Sequence, residues 1–533
     1  MTRHGTRAIV GVIGAALVVG TVPLGPAKLA TTAIGVALLV AVVVGIAWLL
    51  LRSIPDEQAR ASVRRAFYVG LAIRLVAAPT FYVILLAAAW NGPGLFWDDE
   101  KFFTAFAEGT TSFGALWDTA FAAGPQGLYL YYEGTIAILF DDANVVIRIF
   151  NAVIAALTIP VVGLLAFGIA PEGQSRRQSR RLTAVAAWIT ALSPEWILLS
   201  VALTREWLVG LLLAAAVLAL QRLQRRGLSV GVILATMVSI GALVGVRNGT
   251  AVVLMGLASV WVVGIVLFSP AARGRAVRSF GVLWLVTLLA AGMLAQTGTF
   301  ASQGSADFNV LDPSDWYGYL QARYVVTEET VLRTDLIRAQ TGTFLEGTAL
   351  ASQGIIGSIV SPIKLLTNPS PLWWPAVQDF WTGVQFLPGL GWYALMPLML
   401  VGAASILRKP TPPAMLVLIV AGGALLMTLT PLGLGLEPLR ARIQLHPLLY
   451  ILAAAGVTYL AAEPDRARVA YGFVVPVYLA LSMFYYLGLL VPAGVLSPSG
   501  MMTFAVIGLF PLLAVWYARN QGLVRALIPG RWA

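Results

Sequence analysis

The sequence predicts an all-α polytopic membrane protein, and three observations predict it. The chain of 533 residues is 59% hydrophobic and only 11% charged, whereas a soluble domain carries about 25% charged residues. Its apolar residues fall in repeated runs long enough to cross ~30 Å of hydrocarbon. Its arginines gather in short clusters between those runs.

The first run, 8–22, follows Arg3 and Arg7 in the manner of a signal peptide. It lacks a small-residue cleavage site and a second run follows at once, so it is read as a retained helix. The next runs are 29–51, 66–90, 144–170, 182–199, 205–221, 229–246, 250–268 and 280–296. After a long polar interval come 385–407, 413–431, 443–461, 469–490 and 501–517. Together they make a bundle of about 13–14 transmembrane helices. Segment 128–140 is also apolar, but counting it as a crossing would move the Arg176–Arg181 cluster to the other side. It is therefore laid on the outer interface, where Tyr129, Tyr131 and Tyr132 suit the aromatic belt.

With these spans the basic clusters fall on one side: Arg52 to Arg65, Arg176 to Arg181, Arg222 to Arg226, Arg273 to Arg278, Arg408 with Lys409, Arg466 with Arg468, and the tail arginines. The positive-inside rule makes that side cytoplasmic and the protein a multi-pass plasma-membrane protein. It also explains the net charge of +11 without nucleic acid as a partner. Two long external loops remain, 91–143 and 297–384, both richer in acid than in base. There is no cysteine and there are two histidines, which excludes disulfides, thiolate zinc sites and His-rich metal sites.

The external segments carry the candidate chemistry. Trp97-Asp98-Asp99-Glu100 places three carboxylates at the mouth of a span, beginning a short amphipathic helix over 99–108. One acid would cap such a helix and favour its dipole. Three point to a carboxylate base for an acceptor hydroxyl, a role that contributes about 10²–10⁴ in rate. Ser193-Pro194-Glu195 and Thr204-Arg205-Glu206 both read as helix starts. Capping explains the first. In the second, Arg205 is a cation where a helix N-terminus disfavours one, so it pairs with Glu206 or with an anion. Arg148, Arg247 beside Asn248, and Arg440 and Arg442 are further arginines at outer helix ends, and Lys364 lies in the second loop. As a set they match bidentate grip on phosphate, here that of a phosphate-bearing lipid. Arg74, inside span 66–90, is expected to snorkel. His446, before Pro447, is expected to start a helix.

These residues resemble the GT-C membrane glycosyltransferases, and within them the bacterial proteins similar to dolichyl-phosphate-mannose–protein mannosyltransferases. Asp99-Glu100-Lys-Phe-Phe resembles the family's Asp-Glu followed by an aromatic, and Val146-Ile-Arg148-Ile-Phe-Asn151 resembles the opening of the next span. Ala191-Leu-Ser-Pro194 with Thr204-Arg205-Glu206 resembles the paired outer helix ends, and Arg440-Ala-Arg442 the late outer arginine. The resemblance covers residues 66–460; the acid pair follows the third apolar run here and the first in the family. It implies extra N-terminal helices over 1–65 and a GT-C-like catalytic module over 66–296. The external loop 297–384 carries juxtamembrane helices, and C-terminal helices follow over 385–533.

The implied reaction moves a sugar from a polyprenyl-phosphate donor to a hydroxyl on a glycan, lipid or protein acceptor, with inversion, on the extracytoplasmic side. Asp99 aligns as the base, with Asp98 as the alternate and Glu100 in support. Arg205, Arg440 or Arg442 would stabilise the leaving phosphate, and Arg148, Glu206, Arg247 and Lys364 complete the substrate-binding set. A divalent metal is compatible with this scheme and is not demanded by the sequence. Two other classes compete. A lipid-linked glycan polymerase or ligase would use a diphosphate donor, and a transporter or flippase would place ionisable groups near the midplane of two related halves.

Overall fold

The computed structural model describes residues 26–87, 98–122, 127–140, 143–170, 175–227, 229–268, 273–295, 380–408, 410–428 and 443–462. The expected spans 8–22, 469–490 and 501–517, and most of the loop 297–384 with Lys364, Arg440 and Arg442, lie outside them. Among the described residues the chain is helical throughout and has no strand. Six stretches are long and apolar enough to cross a membrane, and a bent pair at 176–201 would make a seventh. An all-α polytopic architecture is thus what the sequence builds.

The chain divides into two compact units. The first holds most described elements. Helix α1 (Pro26–Arg52) starts on a proline, which needs no N–H donor at that position, and turns Ile34, Leu38 and Val42 outward. Helix α2 (Glu57–Ala87) is capped by Asp56, whose Oδ1 accepts from Ala59 N at 2.9 Å. Its inner stripe is Val63, Phe67, Leu71, Arg74 and Ala78, all buried and spaced by three or four.

That stripe packs on a central span built of α6 (Ala143–Ala155) and α7 (Thr158–Ile169), joined by a one-turn irregularity at Ala156-Leu157. This span is the core of the unit, 83% buried. Val63 lies against Gly163 and Gly70 against Ile159, so α2 and α7 run antiparallel. Helix α8 (Arg176–Leu192) runs parallel to α2: Arg180 Nε meets Asp56 Oδ2 at 2.6 Å, and further along Arg74 reaches Thr190 and Ala191. The basic starts of α2 and α8 therefore share one end of the bundle, as the charge pattern requires.

The expected span 182–199 is broken. Helix α8 stops at Leu192, and α9 (Pro194–Val201) leaves it at 51°. The reason is local: Pro194 cannot donate an N–H into a continuing helix, and Ser193 caps the new one, accepting from Trp196 N at 3.5 Å. Helix α10 (Glu206–Arg226) follows and ends at Gly227, whose φ of 76° suits glycine. Helix α11 (Val230–Phe268) consists of two expected spans meeting at Arg247, which is extended at φ −160° and ψ 88°. Helix α12 (Arg273–Ala295) packs on its second half, with Thr287 Oγ1 donating to Met255 Sδ at 3.0 Å.

Between α2 and α6 lie three short helices: α3 (Asp98–Gly109), α4 (Phe113–Ala122) and α5 (Gly127–Phe140). At 14 residues, α5 is about 21 Å long, too short to cross, which agrees with leaving 128–140 uncounted. Its aromatic-belt role is corrected for Tyr129, which is fully buried inside the protein instead of facing the interface.

The second unit contains α13 (Phe380–Arg408), the end of α14 (Pro412–Thr428) and most of α15 (His446–Ala462). Here α13 and α15 cross with backbones touching. A Cβ on Gly402 would overlap Leu452 O, and one on Gly456 would overlap Leu398 O. Arg408 NH1 donates to Tyr459 Oη at 2.7 Å on the same pair.

Candidate functional site

Breaking α8 at Ser193 leaves two helix C-termini inside the protein, each with carbonyls that no turn of helix satisfies. Two buried arginines from neighbouring helices take them. Arg74 of α2 donates to Thr190 O at 3.1 Å, to Ala191 O at 3.3 Å and to its own Gly70 O at 3.0 Å. It is fully buried, so the snorkelling expected of it does not occur. Arg148 of α6 donates from NH1 to Val201 O at 2.9 Å and from Nε to Asn144 Oδ1 at 2.8 Å, with its guanidinium 5.8 Å from the Phe81 ring. A cation at a helix C-terminus also meets the negative end of the dipole. In this structure Arg148 is thus engaged in holding the end of α9.

Asn151, one turn on from Arg148, continues the same task. Its Nδ2 donates to Ala202 O at 3.2 Å and to Tyr129 Oη at 3.5 Å, and its Oδ1 accepts from Tyr132 Oη at 2.9 Å. Glu133, also buried on α5, places its carboxylate charge near both hydroxyls. Burial first, and the Glu133 charge second, push the Tyr129 and Tyr132 hydroxyls well above the usual 10.0, so both remain protonated. Sequence reasoning missed this knot. The available signal was Glu133 itself, a lone acid in an apolar run.

The acid helix α3 is tied to the knot. Phe103 meets Tyr129 edge-on at 5.0 Å, and Ala107 shares one apolar cluster with Val146 of α6 and Leu203 of the α9–α10 connection. Phe103 and Ala107 are 1% exposed, and Phe102 is 44% exposed. At 3.6 residues per turn, positions 99 and 100 fall on the side of Phe103 and Ala107. Position 98 falls opposite, on the side of Phe102. The side chains of Asp98, Asp99 and Glu100 lie outside the described residues.

The α9–α10 connection leads into the second expected helix start. Arg205 occupies the N-cap position of α10 and makes no side-chain cap. Glu206, buried in the first turn, accepts from Arg247 NH1 at 3.1 Å. The break in α11 is what brings that guanidinium to the start of α10. One turn along α10 from Glu206, Trp196 packs against Gly210, where a Cβ would stand 2.7 Å from the indole and 3.2 Å from Gln444 O. Gln444 accepts from Thr250 Oγ1 at 2.9 Å, and His446 Nε2 lies 3.3 Å from Glu195 Oε2. His446 starts α15 as expected, and in doing so pins residues 443–448 to α9.

The structure thus gathers Arg205, Glu206 and Arg247 at one helix start, sets Arg148 beneath the same connection, and docks the acid-bearing helix beside it. Arg440, Arg442 and Lys364 lie outside the described residues. Among the described residues no group of three or more His, Asp or Glu is arranged to hold a metal ion. The arrangement sets two arginines and a carboxylate at one helix start, beside a helix whose sequence begins with three acids. No protein-family model and no curated protein matches this chain.

Proposed function

We propose that the protein is a multi-pass membrane glycosyltransferase that moves a sugar from a polyprenyl-phosphate donor to an acceptor hydroxyl at the outer face. One observation carries the reading. The helix that begins with Asp98-Asp99-Glu100 and the connection that ends in Arg205 share one apolar cluster, through Ala107 and Leu203. A base and a phosphate-binding cation are what such a transfer needs side by side. The register of α3 supports Asp99 over Asp98 as base, with Glu100 beside it.

In this scheme the acceptor oxygen attacks the anomeric carbon while its proton passes to the Asp99 carboxylate. The bond from that carbon to the phosphate oxygen breaks, the electron pair leaves with the polyprenyl phosphate, and the carbon inverts. Arg205 stabilises the phosphate charge, with Arg440 and Arg442 as further cations in the proposed set. Arg148 contributes indirectly, by fixing the loop that presents Arg205.

The test supplies the purified protein in proteoliposomes with radiolabelled polyprenyl-phosphate sugars. Label appearing on an acceptor, with free polyprenyl phosphate released in equal amount, supports the reading. Uptake of intact donor with no covalent product makes the protein a transporter, and transfer only from diphosphate donors makes it a polymerase or ligase.

A further inference from the structure

Three helices fix the level of α5 in the first unit. The Asp56–Arg180 contact marks the basic end, four residues past the end of α1. The end of α7 and the arginine-bearing end of α10 lie at that same end, since Gly168 meets Gln221 and Gly163 meets Val63. Helix α11 starts there too, just after Gly227. Phe140 of α5 packs on Gly35, about 25 Å along α1 from Arg52. Tyr132 bonds Asn151, about 25 Å along the α6–α7 span from Gly168. Leu128 packs on Gly245, about 22 Å along α11 from Val230. Usual tilts of ~20° change such lengths by less than ~10%. Residues 128, 132 and 140 run the length of α5, yet all stand at one level. Helix α5 therefore lies across the bundle, near the far boundary of a hydrocarbon layer ~30 Å thick.

Helix α4 packs on this flat helix. Leu116 meets Gly134, and Trp117 meets Tyr131 edge-on at 5.5 Å. Leu116 and Ala120 form the buried side of α4. Beside them, one turn apart, Phe113 and Trp117 stand 50% and 48% exposed. Asp118 and Thr119 face away from that aromatic pair, and α4 carries no base. Leu139, the chain neighbour of Phe140, is exposed as well, and so are Ile34 and Leu38 on either side of Gly35. Exposed apolar surface thus continues from the span α1 onto α5, at the level where α4 is seated. Trp at such a boundary lays its ring among the headgroups with its apolar face toward the acyl chains.

We propose that α4 is an interfacial anchor, whose Phe113–Trp117 face seats in the acyl–headgroup boundary of the leaflet opposite the basic clusters. It holds α5 at that level, and with α5 the acid helix α3, which docks through Phe103 on Tyr129. The partner is the lipid surface itself. With no base on α4 and with Glu108 and Asp118 exposed, the seat rests on apolar contact and not on anionic headgroups. The anchor is independent of the transfer reaction proposed above.

The test exploits the absence of cysteine from the chain, so that one introduced cysteine carries a nitroxide label selectively. Phe113→Cys, Trp117→Cys and Thr119→Cys are made in separate full-length proteins and placed in phosphatidylcholine nanodiscs. Collision of each label with oxygen, which concentrates in lipid, and with a water-soluble nickel chelate is read by electron paramagnetic resonance. The oxygen-to-nickel ratio is expected to be severalfold higher at 113 and 117 than at 119. Adding anionic phosphatidylglycerol or raising the salt should leave it unchanged. Either aromatic position decides the test if the other variant fails to fold. Equal nickel access at all three positions means that the face meets water, and overturns the proposal. Low access of both reagents at 113 and 117 means that a second copy of the chain covers the face, and overturns it too. A ratio that rises only with anionic lipid overturns the apolar seat.

Discussion

Replacing Arg148 by methionine keeps most of the apolar bulk of the side chain and removes its guanidinium. Val201 O then loses its donor at 2.9 Å and Asn144 Oδ1 loses its donor at 2.8 Å. A buried carbonyl left without a partner costs about 1–3 kcal/mol. Losing a cation from a helix C-terminus costs about 0.3–1 kcal/mol more. The expected destabilisation is therefore about 1–4 kcal/mol, seen as a fall of several degrees in the detergent melting curve. Faster amide exchange at 202–206 should accompany it, because the end of α9 loosens first. Arg148→Lys should fall between the two, since one ammonium cannot reproduce both bonds in the geometry of a guanidinium. If Arg148→Met melts with the wild type and loses only affinity for lipid phosphate, Arg148 is a ligand, as the sequence resemblance implies, and the account of the broken helix is wrong.

Other predictions follow from the same geometry. Gly402→Val should prevent a monodisperse fold, because its Cβ would meet the Leu452 carbonyl, whereas Gly422→Ala, with nothing within 4 Å, should behave as wild type in size-exclusion profiles. The Asp56–Arg180 pair should contribute under about 1 kcal/mol, being partly exposed. Burial pushes the Asp56 carboxyl up, but bonds from Ala59 and Arg180 outweigh it and hold the group below its ordinary 3.8. Its contribution is therefore present above about pH 4 and lost as pH falls through the lowered value. The melting difference between wild type and Asp56→Asn should be measurable at pH 7 and vanish near pH 2. Tyr129 and Tyr132 should stay un-ionised past pH 10 in tyrosinate absorbance at 295 nm. The stability tied to their neutral form is present below pH 10 and lost only as pH rises through their raised values.

The helical, many-span character was legible because hydropathy and arginine clusters act over whole segments. The Asp56–Arg180 contact agrees with the side assigned to the first two basic clusters. Helix starts were legible where one residue decides them: Ser193-Pro194 forces the new helix, and His446 begins α15. What partners a lone arginine was not legible, because it depends on which helix arrives beside it. Arg74 and Arg148 carry the same side chain at similar depths in apolar runs. Only the fold shows that each ends on the carbonyls of a broken helix. Likewise, Thr204 looks like a cap, and its failure to act as one appears only in three dimensions. The choice between Asp98 and Asp99 turns on side chains that lie outside the described residues.

The central claim is that an acid at the start of α3 takes the proton from an acceptor hydroxyl. The most direct measurement compares single-turnover transfer from a radiolabelled polyprenyl-phosphate sugar by wild type, Asp98→Asn and Asp99→Asn at saturating donor. The account predicts a loss of about 10²–10⁴ for Asp99→Asn with donor affinity retained, and a far smaller change for Asp98→Asn. Full transfer by Asp99→Asn, or a loss confined to Asp98→Asn, would contradict it.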